Sequence, residues 1–61
     1  MSITFKVERP KDGKVQIFLL DGGAFLFQRH VSQVPIDTLK LRIKAAKVEM
    51  RKFWERVRAG G

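Results

Sequence analysis

The longest periodic stretch of the chain lies at its C-terminal end. From Pro35 to Gly60 the main apolar residues fall at Ile36, Leu39, Ile43, Ala46, Met50, Phe53 and Val57, in alternating steps of three and four. At about 100° per residue they form one narrow stripe, widened at its edge by Trp54. No proline or glycine interrupts the run, and Ala, Leu, Lys, Arg, Glu and Met dominate it, so propensity agrees with period. The pattern predicts a long amphipathic helix over about residues 36–58.

Upstream the period falls to two. Ile3, Phe5 and Val7 alternate with Thr4, Lys6 and Glu8, as in a strand buried on one side. Arg9-Pro10-Lys11-Asp12-Gly13 supplies turn chemistry, since proline cannot continue a ladder and Asp-Gly accepts positive φ. A second strand follows, with Val15, Ile17 and Leu19 opposite Gln16, Phe18 and Leu20; apolar on both sides near its end, it belongs in a central or covered position. Asp21-Gly22-Gly23 makes the second hairpin. It lacks the following helix and spaced glycines of a phosphate loop. In the third strand, alternation places Phe25, Phe27 and Val31 on one side and Leu26, Gln28 and His30 on the other, with Arg29 among the apolar set. Ser32-Gln33-Val34-Pro35 connects to the helix, which begins either with Asp37 as cap and Ile36 and Leu41 as staple, or with Pro35 in its first turn.

The expected architecture is α+β, β-β-β-α: a three-stranded antiparallel meander (strands at about 3–9, 14–20 and 24–31) packed against one long C-terminal helix. At 61 residues it is one domain, 1–61. Chains this short supplement their core with a disulfide, a metal or a partner. There is no cysteine and His30 is the only histidine, so disulfides, thiolate sites and His-rich metal clusters are excluded and no cofactor is expected. Self-association is left, and a homodimer is expected.

Charge points the same surface outward. Thirteen Lys and Arg against six Asp and Glu give a formal net charge of +7. Such an excess favours nucleic acid, anionic membrane or an acidic protein face, although basic surfaces also occur without a polyanion partner. No apolar run approaches the ~20 residues that span a bilayer, and the first residues do not form a signal peptide, so the expected setting is cytoplasmic: nucleoid-associated, or the host cytoplasm if the chain is viral. On the helix, Lys40, Lys44, Lys47, Arg51 and Arg58 form a cationic band. Leu41, Ala45 and Val48, bordered by Lys52, form a second apolar patch and are assigned to a helix–helix dimer interface. The sheet side away from the helix is expected to show Lys6, Gln16, Phe18, Leu26, Gln28 and His30. An aromatic among amides and cations suits stacking of unpaired bases, with Lys11 and Lys14 reaching phosphates; equally, Phe18 and Leu26 suit burial in an oligomer.

Gly13-Lys14-Val15-Gln16-Ile17, followed by more strand and a Pro-led helix, resembles the positive cofactor four-like transcriptional coactivators. That family consists of small dimers holding single-stranded DNA on a curved sheet backed by a C-terminal helix. The resemblance covers most of the chain in topology and only Gly13, Lys14, Val15 and Ile17 in residues; the family has four strands where three are read here. It implies a DNA contact at Lys14. Catalysis is not expected, because Glu8, Asp12, Asp21 and Asp37 lie in or beside turns and one surface histidine makes no triad.

The expected function is therefore a basic nucleic-acid-binding protein, a single-strand-preferring DNA-binding factor of chromatin or transcription. It would grip phosphates through Lys6, Lys11, Lys14, Arg29, Lys40, Lys44, Lys47 and Arg51, with Phe18 stacking bases. The alternative is a small regulator or inhibitor, of a kind a virus could encode, docked on an acidic partner protein. An interfacial membrane helix is less suited, because the sheet claims the apolar stripe.

Overall fold

A computed structural model describes residues 2–9 and 12–60. Three strands, β1 (Ile3–Glu8), β2 (Lys14–Asp21) and β3 (Ala24–Ser32), form an antiparallel sheet in the order β1-β2-β3, followed by a 3₁₀ turn (Ile36–Thr38) and one helix, α1 (Leu39–Gly60). The β-β-β-α architecture is the one the alternation of periods predicts. Central placement of β2 follows from its double apolar character: Val15, Ile17 and Leu19 are fully enclosed, and Leu39, Ala46 and Met50 of α1 close over them. Ile3, Phe5, Leu26, Phe27, Val31, Ile43 and Trp54 pack around this centre. The Trp54 indole N–H is enclosed there with no hydrogen-bond partner among the described residues.

One departure from strict alternation reorganises β3. The two-residue turn at Gly22 and Gly23, both at positive φ (60° and 89°), pairs Asp21 with Ala24 and Leu20 with Phe25. Continued without interruption, that register would turn Leu26, Gln28 and His30 toward α1 and leave Phe27 and Val31 in water. A bulge between Leu19 and Leu20 inserts one extra residue, after which Leu19 pairs with Phe27, Ile17 with Arg29 and Val15 with Val31. Phe27 and Val31 thereby reach the core. The expected sides of the first two residues are corrected: Phe25 lies on the open side beside Phe18, their rings 6.0 Å apart and edge to face, while Leu26 packs against the core.

The helix also begins differently from either expected start. Pro35 holds an extended conformation (φ −72°, ψ 140°) ahead of the 3₁₀ turn, and Asp37 makes no cap. Arg42 holds the connection instead, donating to the Ser32 carbonyl (2.6 Å), the Pro35 carbonyl (2.5 Å) and Thr38 Oγ1 (3.1 Å). A planar five-donor guanidinium can satisfy all three acceptors at once, whereas an ammonium is a single point. Arg42→Ala is expected to lower stability by about 1–2 kcal/mol, read as a lower urea midpoint at unchanged slope, and Arg42→Lys is expected not to restore it.

The apolar stripe is longer than its cover. Leu39, Ala46 and Met50 are buried and Ile43 partly so, but Phe53, edge to face with Phe27 of β3 at 5.3 Å, and Val57 remain 53% and 45% exposed. Ile36 sits in the 3₁₀ turn, out of phase with the α-helical stripe, and is exposed. Among the described residues no helix is long and apolar enough to cross a membrane.

Candidate nucleic-acid interface

Burying Ala46 and Met50 fixes the rotation of α1, and the residue after each, Lys47 and Arg51, lands on the flank toward β1. Both cations lean over the Phe5 ring, Lys47 Nζ at 5.8 Å and Arg51 Cζ at 5.7 Å from its centroid. Lys40 and Lys44 continue the same row toward the helix start, at spacings of four, three and four residues. Two adjoining open concavities of ≈ 420 and ≈ 550 Å³ lie along the row, with Lys44 and Lys47 lining both; apart from Phe5 of β1 their walls come from α1 and the 3₁₀ turn. Phe5 lines one and Ile43 the other, and Asp37 and Glu55 stand at opposite ends of the groove.

Carboxylates neutralise other cations. The ion pairs among the described residues are Lys6 with Glu8 (3.2 Å) and Arg29 with Glu49 (3.3 Å), both between largely exposed groups. Lys40, Lys44, Lys47 and Arg51 thus have no carboxylate oxygen within ion-pair distance among the described residues. Four unneutralised charges line one side of a groove.

The residues assigned to nucleic acid therefore do not form one surface. Arg29 lies on the helix side of the sheet because it pairs with Ile17, and Glu49 engages it across the other flank of α1. Lys6, Lys14 and Phe18 share the open side: Phe18 stands between Lys6 on β1 and Gln28 on β3, next to Phe25. One step along, Gln16 Nε2 lies 3.1 Å from His30 Nε2, a hydrogen bond across the strand pair. Lys11 lies outside the described residues. Leu41, Ala45, Val48 and Lys52 do form one row along the solvent side of α1, with Leu41 69% and Val48 49% exposed, and Val48 and Lys52 also rim the groove.

Sequence places Phe5 and Phe25 only as strand residues and does not mark Arg42, so none of the three is among the sequence-assigned site residues. For Phe25 a signal exists: a two-residue Gly-Gly turn fixes the hairpin parity, and that parity conflicts with burying Phe27 and Val31. For Arg42 there is none, since its three acceptors meet only once the connection has folded. Among the described residues no group of three His, Cys, Asp or Glu side chains could hold a metal ion. Comparison with protein-family models, curated proteins and solved structures found no match.

Proposed function

We propose that this chain is a nucleic-acid-binding domain that lays a phosphate backbone along Lys40, Lys44, Lys47 and Arg51. The observation that supports this reading is the row itself: four cations on one helix flank, none in an ion pair among the described residues, with Asp37 and Glu55 only at the ends of the groove they line. At 1.5 Å per residue the row extends about 16 Å along the helix axis. One strand of B-form DNA carries about five phosphates over that length, at about 3.4 Å each. Contacts of this kind position a backbone and do not read bases, so binding is sequence-tolerant.

Single-stranded DNA is the preferred form in this reading. The Phe18–Phe25 pair offers an aromatic surface to unpaired bases, which duplex DNA keeps stacked; it lies on the other side of the sheet from the cation row, so a strand using both would have to pass around the β1 edge. Self-association through Leu41, Ala45 and Val48 would double the number of cation rows.

Titration of labelled 20-nucleotide single- and double-stranded oligonucleotides at several salt concentrations tests the proposal. Four phosphate contacts give a slope of log K against log salt of about −3 for a single strand. Absence of binding at ~50 mM salt, or affinity insensitive to salt, removes the proposal. Sedimentation at the same concentrations reads the subunit number.

A further inference from the structure

We infer that the outer edge of β1 is a docking site for an extended acidic polypeptide, which joins the sheet as a fourth strand beneath the cation row. The inference rests on a feature that nucleic-acid binding does not use, the backbone of an edge strand. β1 is paired only with β2, and among the described residues its outer side makes no backbone hydrogen bond. Its six residues run in unbroken register, with no proline and no bulge; of the devices that protect an edge it carries charged side chains, Lys6 and Glu8, which lie on the open side of the sheet and pair with each other. Its start is anchored: the Ser2 carbonyl accepts from the Gly22 amide at 3.0 Å, and the Ser2 amide donates to Asp21 Oδ1 at 3.2 Å. The opposite edge, β3, carries the bulge, and Arg29 with Glu49 bridges from it to α1.

The space beside β1 is open because α1 sits over β2 and β3. Val7 is 39% exposed although it points to the helix side, and Phe5 lines the groove. An added strand would lie about 4.8 Å beyond β1, with every second side chain turned into that groove. Those side chains repeat at about 6.7 Å. The cations above repeat at about 5.5 Å on average along the helix axis, a mismatch that long lysine and arginine stems absorb. Carboxylates at alternate positions would meet Lys44, Lys47 and Arg51, while the strand backbone supplies hydrogen bonds to β1. A second copy of β1 is the poorer occupant, since two-fold pairing would set two such cation rows facing across one seam. Acidic strand and nucleic acid would draw on the same charges and exclude one another.

The probe is a fluorescein-labelled eight-residue peptide alternating glutamate and valine, titrated into the full chain at ~50 mM salt, with two further peptides N-methylated on alternate amides along one edge or the other. The parent is expected to bind and to slow amide exchange within residues 3–7. Methylation along one edge is expected to weaken it by about a hundredfold and along the other to leave it unchanged, because only one edge meets β1. Lys47→Gln with Arg51→Gln is expected to weaken the parent by about tenfold, with circular dichroism confirming the fold. Equal binding by all three peptides would reduce the site to charge alone and overturn strand addition. So would an oligonucleotide that binds where the parent peptide does not.

Discussion

Ile17→Ala is expected to leave the chain unfolded in dilute buffer at 25 °C. Ile17 is fully enclosed at the middle of the central strand, paired with Val7 on one side and Arg29 on the other. Truncating such a residue costs about 2–5 kcal/mol, because the lost transfer energy is joined by a cavity the neighbours do not fill. Only six residues are buried among those described: Val15, Ile17, Leu19, Leu39, Ala46 and Met50. A single core of this size contributes about 3–5 kcal/mol in all, so the penalty equals the stability. Far-UV circular dichroism should show no folded baseline. Ile17→Val, which removes one methyl group, should retain the fold at a cost of about 1 kcal/mol. A cooperative transition above 50 °C for the alanine variant would contradict the stated size of the core.

Replacing Lys40, Lys44, Lys47 and Arg51 together by glutamine is expected to lower affinity for single-stranded DNA about a thousandfold at ~0.1 M salt. Each phosphate contact contributes about 0.7 to the slope of log K against log salt, and four contacts about 3. The variant slope should therefore be nearly flat. Folding is expected to survive, because glutamine is as good a helix former as lysine and the row lies outside the buried core. The cost is the pair of cations over Phe5, about 0.5–1 kcal/mol each. A companion variant with Lys6 and Lys14 neutralised separates local contact from net charge. If the loss per charge were the same in both, binding would follow the overall +7 and not the groove.

Much of this molecule is written locally. Alternation at Ile3, Phe5 and Val7 and at Val15, Ile17 and Leu19 identifies two strands and their buried sides, because side chains in a strand alternate whatever the strand packs against. The Gly22-Gly23 turn and the three-and-four stripe are equally local. The same rule failed at Phe25 and Leu26, where turn parity and core demand differ by one residue and the bulge absorbs the difference. The candidate site was legible only in part. The lysines of α1 lie in one row by helical period alone, whereas Arg29, Lys6 and Phe18 were grouped with them by charge and type. The sheet divides that group between its two sides.

From sequence alone come the β-β-β-α order, the central strand and the cationic side of the helix, since each is an arrangement of neighbours along the chain. Tertiary structure decided which cations meet a carboxylate, how far α1 lies from β1 and which edge stays open. These depend on the lateral offset between helix and sheet. That offset is set by how Leu39, Ala46 and Met50 fit over Val15, Ile17 and Leu19, a matter of shape between residues distant in the chain that no local period encodes.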